Sequence, residues 1–248
     1  MAVLRLRGEI ALNTPVVTDL YNVLPQVDTE THVALIVTID TEGGTLATAE
    51  TLNGWIDRLY RKRGKPVICV IEERCLSAGI AVAVACDRVF APASAQIGAF
   101  GAMLSWPDAM EFRQKFGLAQ RNFVSRAYKD IASPNRRPDE GDAAQIEALL
   151  RDLDTQFAAL VRKARPAMSD GDFETLANSW MLTGRAAHEI GLTDGIGGFD
   201  AALELLVEEG WLRAPTAQDL VFLGDPNPGQ GQAVPGGQLL SLLEGIGR

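Results

Sequence analysis

Histidine and cysteine are scarce in this chain, with two of the first and three of the second among 248 residues. Each shortage narrows the chemistry. His32 opens a strand-like run, and His188 sits in Gly184-Arg185-Ala186-Ala187-His188-Glu189-Ile190-Gly191, a short surface-helix pattern. Neither is placed to act as a base, and both read as structural or surface residues. Cys69, Cys75 and Cys86 are odd in number and lack metal-site spacing, which leaves buried reduced thiols as their reading. Positive charge is also short: 23 Lys and Arg against 32 Asp and Glu give a net charge of −9, and no extended basic surface remains to neutralise nucleic-acid phosphates. The one basic cluster, Arg58 to Lys65, falls at the end of a helical pattern, where cations suit the helix dipole. No apolar run approaches the ~18 residues of a membrane span, so no integral membrane segment is expected. The N-terminal residues read as a strand with alternating arginines and not as a signal peptide, and a cytoplasmic protein is the expectation. No P-loop or dinucleotide fingerprint occurs, and neither cofactor nor metal is expected.

What the chain does contain is apolar residues at 47%, enough for one substantial core, arranged as alternating strand-like and helix-like runs that predict a single α/β domain. Two runs predict buried parallel strands: His32-Val33-Ala34-Leu35-Ile36-Val37-Thr38-Ile39-Asp40 and Pro66-Val67-Ile68-Cys69-Val70-Ile71. The first ends in Thr41-Glu42-Gly43-Gly44-Thr45 before a helical pattern from Ala47 to Tyr60. The second leads to Ser77-Ala78-Gly79-Ile80-Ala81, a serine at the start of a helix of very small residues. In a parallel sheet both ends face one crevice. The N–H groups of Gly44 and Ala78 would then form an oxyanion hole beside Ser77, the leading candidate nucleophile. With both histidines set aside, a lysine could serve as base if it were neutral, and Lys129 in Tyr128-Lys129-Asp130-Ile131-Ala132-Ser133-Pro134 is the best placed. It follows Asn122-Phe123-Val124-Ser125, which reads as a strand. From the residues alone, a lysine before an aspartate reads more readily as a solvated surface charge.

These motifs, in this order, resemble the SppA-type signal peptide peptidases, serine peptidases with a Ser/Lys dyad on the Clp-protease/crotonase-like fold. The likeness covers roughly residues 1 to 207. Ala2 to Ile10 resembles the family's opening strand. Asp40-Thr41-Glu42-Gly43-Gly44 stands where the family has D-S-P-G-G, and Cys75-Leu76-Ser77-Ala78-Gly79 where it has A-A-S-G-G. Ala91 to Gly101 resembles the segment ending T-G-S-I-G, Tyr128 to Pro134 the segment of the general-base lysine, and Thr183 to Gly197 the closing G-x-x-A-x-x-x-G-L-x-D-x-x-G. The resemblance implies Ser77 as nucleophile, Lys129 as its base and a peptide or protein substrate. It also implies a homo-oligomer in which the lysine can come from a neighbouring subunit. Phage head-maturation peptidases, acting on capsid or scaffold proteins, belong to the same family, so a virion-associated member is an alternative to a host one.

Two departures stand out. Thr41-Glu42 replaces Ser-Pro, predicting a less rigid loop with an extra charge, and Ala99 replaces a serine that supports the lysine amine. An exposed lysine titrates near ~10.4, so a base near neutral pH requires about 3 to 4 kcal/mol against the cation. Desolvation by Ile97, Phe100 and Ile131 is the expected source, provided Asp130 points away.

The remainder reads simply. Pro138 to Arg165 predicts a long amphipathic helix carrying Ile146, Leu149, Leu150, Leu153, Phe157, Leu160 and Val161, and Phe199 to Val207 predicts a further helix. The peptidase domain is expected over residues 1–223. Residues 224–248 would be a Gly/Pro-rich linker, with a short amphipathic tail at Leu239, Leu242, Leu243 and Ile246. Two rival functions stay open: a catalytically impaired assembly or scaffold protein on a peptidase fold, and a crotonase-type acyl-CoA enzyme using Glu42 or Glu73.

Overall fold

The structure, a computed structural model, describes residues 1–24, 29–106, 108–131, 133–134, 136–213 and 220–223. The predicted linker and tail at 224–248 lie outside them. The chain divides into one compact unit of Met1–Phe100 with Ala159–Arg248 and a second of Gly101–Ala158.

In the first unit β1 (Ala2–Arg7) is followed by α1 (Pro15–Val23), which starts on a proline whose fixed φ suits a first helical turn. β2 (Leu35–Thr41) leads to α2 (Leu46–Leu59), whose N-cap Thr45 accepts the N–H of Thr48. β3 (Val67–Leu76) runs into α3 (Ala78–Ala83), and β4 (Arg88–Ala91) and β5 (Gln96–Gly98) follow. The second unit contains α4 (Met110–Lys115) and the start of α5 (Glu140–Ala164). Back in the first unit come α6 (Asp170–Asn178), β6 (Met181–Thr183), α7 (Gly184–Glu189), β7 (Gly195–Ile196), α8 (Phe199–Glu208) and β8 (Val221–Leu223).

Among the described residues the strands form one sheet in the order β6-β5-β3-β2-β1-β8, with β4 pairing β3 and β7. All pairs are parallel except β5 with β6. Helices flank the sheet, as the α/β reading expects. Leu4, Val37 and Cys69 stand side by side at the middle of β1, β2 and β3, and all three are buried, which is why these strands read as unbroken apolar runs. On one side Ile36, Ile68 and Val70 pack against Ala202, Leu203 and Leu206 of α8. Each such fully buried aliphatic side chain contributes roughly 1.5 to 3 kcal/mol. The tiny residues of α3, all buried, let that helix lie close on the sheet.

One expectation is corrected. Asn122 to Ser125 is not a strand: these residues are exposed and irregular, Phe123 is 96% exposed, and no strand among the described residues pairs with them. The predicted long helix runs from Glu140 to Ala164, within two residues of its expected limits. Of its apolar stripe only Phe157 and Val161 are buried, whereas Leu149 is exposed.

Candidate active site

β3 and α3 meet at Ser77. Its backbone adopts φ 50°, ψ −120°, a conformation L-residues avoid, and the only other non-glycine residues with positive φ among those described are Ala99 and Tyr128. A strained turn persists only where its surroundings hold it. Here the N–H of Ser77 donates to Gly98 O at 2.8 Å, and Ser77 O accepts from Ile80 N at 2.9 Å. The hydroxyl makes no cap bond to α3 and has no protein partner among the described residues, and the residue is partly exposed. A serine hydroxyl left unengaged at a strand-to-helix turn is available to an incoming group.

The turn after β2 lies directly against it. A Cβ at Gly43 would sit 2.6 Å from Ser77 Cβ and 3.3 Å from its Oγ, so only hydrogen fits there. Gly44 is pressed against the backbone of Ile10, where a Cβ would fall 2.2 Å from Ile10 O. The pairing is explicit: Ile10 N donates to Gly43 O at 2.7 Å and Thr45 N donates to Ile10 O at 2.9 Å. That parallel bridge turns the N–H of Gly44 away from Ile10. No backbone carbonyl among the described residues accepts from Gly44 N or Ala78 N. Both predicted oxyanion donors therefore keep free N–H groups in elements that converge on Ser77.

The loop expected to be loose is tied by its own departures from the family pattern. Thr41 is fully buried, and its hydroxyl donates to Gly8 O at 2.6 Å while accepting the N–H of Gly43 at 2.9 Å. Glu42 forms an ion pair with Arg74 at 2.8 Å, and Arg74 also reaches Asp40 at 3.5 Å. The extra charge predicted near the site is thus matched by a guanidinium.

The predicted base belongs to the second unit. Lys129 follows the left-handed Tyr128 (φ 65°) in a turn, is exposed, and its amine has no partner among the described residues. Ile131 is partly buried, while Phe100 packs edge-on against Phe173, with ring centroids 5.5 Å apart. Asp130 is held by other groups. Its Oδ2 accepts from Asn122 Nδ2 at 3.2 Å and its Oδ1 from Arg136 Nε at 3.0 Å, and these bonds hold its carboxyl below the usual range. Sequence reasoning missed this network, because nothing in the spacing of Asn122, Asp130 and Arg136 marks them as neighbours.

The remaining candidates behave as structural residues. His32 is buried, with its Nδ1 3.2 Å from Tyr60 Oη, and burial pushes the Tyr60 hydroxyl up to about 12. His188 is exposed, with Nδ1 3.0 Å from Thr193 O. The three cysteines are free and buried, and burial pushes the Cys75 thiol far above its ordinary range, which makes it inert as a nucleophile beside Ser77. No group of His, Cys, Asp or Glu side chains among the described residues is arranged to hold a metal ion.

Comparison with known proteins gives the site a context. Residues 60–213 match the model of peptidase family S49. A protein designated a protease in Synechocystis sp. is 26% identical over 205 residues, covering 83% of this chain and 73% of that protein. One designated signal peptide peptidase SppA in Enterococcus faecium is 27% identical over 149 residues, 60% of this chain and 43% of its own length. The chloroplastic serine protease SPPA of Arabidopsis thaliana is 23% identical over 224 residues, 89% of this chain and 31% of that protein. The chain thus spans less than half the length of the latter two.

Proposed function

The chain belongs to peptidase family S49, with its Clp-protease/crotonase-like fold, and on that footing we propose that it is a serine endopeptidase in which Lys129 activates Ser77 and the Gly44 and Ala78 amides hold the oxyanion. The observation that supports this reading most is the strained, unengaged Ser77 set against Gly43, where packing leaves no room for a Cβ. Neutral Lys129 takes the Ser77 proton as Oγ attacks the peptide carbonyl. The tetrahedral oxyanion is stabilised by the two N–H groups, and the proton passes to the leaving amine as the acyl-enzyme forms. Water then hydrolyses the ester by the same route in reverse. Each oxyanion donor accounts for about 10² to 10³ in turnover.

Ser77 and Lys129 lie in different units, and the dyad is assigned within one chain or across a subunit boundary. A homo-oligomer is favoured by the exposed lysine and by the apolar side chains around it in sequence, Met103, Phe112, Phe116 and Phe123, each more than 60% exposed. Burial in an assembly would supply the desolvation an amine base requires. The substrates are peptides or proteins: signal-peptide remnants, or capsid or scaffold proteins. Among the described residues no helix is long and apolar enough to cross a membrane. A cytoplasmic setting is favoured by three free buried thiols. The peptidase domain is assigned to residues 1–223.

Casein hydrolysis tests the reading. Ser77→Ala and Lys129→Ala are each expected to lower turnover by roughly 10³-fold or more. Hydrolysis surviving Ser77→Ala would reject it, and crotonyl-CoA turnover by wild type would favour the acyl-CoA alternative instead.

A further inference from the structure

We infer that Arg136 is a positioning residue for the proposed base: anchored on Asp142, it engages the Asp130 carboxylate and so denies the Lys129 ammonium the counter-ion that follows it in sequence. The inference rests on Lys129 being the base. An aspartate free to turn toward that amine would stabilise the cation and oppose proton abstraction.

The network that prevents this is complete within the second unit. Arg136 Nε donates to Asp130 Oδ1 at 3.0 Å, Nη2 to Asp142 Oδ1 at 2.8 Å, and Nη1 to Asp142 Oδ2. The Asp142 side chain is 1% exposed. It is itself fixed, because Asp139 N donates to its Oδ2 at 3.1 Å while Asp142 N donates to Asp139 Oδ1 at 2.9 Å, an exchange that caps the start of α5. Asn122 Nδ2 engages the second Asp130 oxygen and also donates to Ser133 Oγ at 3.1 Å. Tyr128, before the lysine, reaches the same helix start: a Cβ at Gly141 would lie 3.1 Å from its Oη. The lysine turn is thereby fastened to α5 on both sides of residue 129.

The charged neighbours leave few competitors. On the lysine's own segment are Arg126, whose carbonyl accepts the Lys129 N–H, and Asp130. From the start of α5, Asp142 pairs with Arg136, while Asp139 Oδ1 accepts from Asp142 N. Arg137 is paired with Glu111 at 2.8 Å and Asp108 at 3.5 Å, away from this network. Arg136 thus acts by occupying the anion that follows the lysine in sequence.

The test is the pH dependence of kcat/KM from pH 6 to 10 in the full chain. Arg136→Gln is made together with Asp142→Asn, so that no bare carboxylate is left buried. The acid limb is expected to move up by about one pH unit, with activity at pH 7 falling about tenfold and the alkaline plateau kept. Adding Asp130→Asn is expected to return the limb to its wild-type position, which a merely structural role for Arg136 would not produce. Asn122→Ala, an exposed substitution that frees only one Asp130 oxygen, is expected to move the limb the same way by less, and serves if the first variant does not fold. A limb that stays in place in the folded variants, or a loss uniform in pH that Asp130→Asn does not rescue, overturns the inference. Lys129→Ala in the same series separates the two ideas. If it keeps wild-type activity, the dyad itself fails and this inference with it. If it is inactive while the limb does not move, only the role of Arg136 fails.

Discussion

Gly43 and Gly44 show how narrowly the site is built at the scale of single atoms. Replacing Gly44 with alanine would drive a methyl into Ile10 O at 2.2 Å, against backbone that cannot swing aside, and at φ 151°. Crowding and strain of this kind cost about 1 to 3 kcal/mol each, so Gly44→Ala is expected to lower the urea midpoint as well as turnover. Gly43→Ala meets Ser77 instead, at 2.6 Å from its Cβ, and its main effect is expected on the serine. Turnover should fall at least tenfold, with a smaller change in unfolding midpoint than Gly44→Ala causes. Equal activity in wild type and Gly43→Ala would show that the Ser77 turn can move, contrary to its tight placement.

At the scale of elements, the β3–α3 and β2–α2 junctions were legible in the sequence because each joins a buried aliphatic run to a glycine or serine turn and then a helical pattern. The short strands β4 to β8 carry too few residues for any period to register. The supposed strand at 122–125 was illegible for a different reason. Its apolar residues are exposed, and alternation says nothing about which neighbour covers a segment. The Asn122–Asp130–Arg136–Asp142 network is also invisible in sequence, since its partners meet only once the segment folds back on the start of α5.

The elements also set the pH range of stability. Asp130, held chiefly by Asn122 and then Arg136, and Asp142, held by Arg136, have carboxyls below the usual range. Their contribution is present above an unfolded carboxylate value of ~3.9 and is lost as pH falls through their folded values. Tyr60, raised to about 12 by burial, contributes stability that is present below ~10 and lost as pH rises through 12. Urea midpoints are expected to fall below about pH 4 and above about pH 10, and Tyr60→Phe should blunt the alkaline fall. An alkaline fall unchanged in Tyr60→Phe would remove that residue as its cause. None of these three groups titrates between pH 6 and 9, so they do not obscure a base titrating there.

For the whole molecule, assembly is the question the exposed apolar segment raises. Phe123→Asp places a charge on a side chain that is 96% exposed, so the isolated chain should tolerate it. In an oligomer that buries this segment, light scattering should report a smaller particle and proteolysis should fall with it. Wild-type size and activity in Phe123→Asp would exclude that face as the interface. A nucleophile at Ser77 activated by Lys129 is tested most directly by mass-spectrometric mapping of a fluorophosphonate adduct across pH 6 to 9. We expect one adduct, on Ser77, formed faster as pH rises and absent from Ser77→Ala and Lys129→Ala. An adduct elsewhere, or a rate on Ser77 that is flat with pH and unchanged in Lys129→Ala, would contradict it.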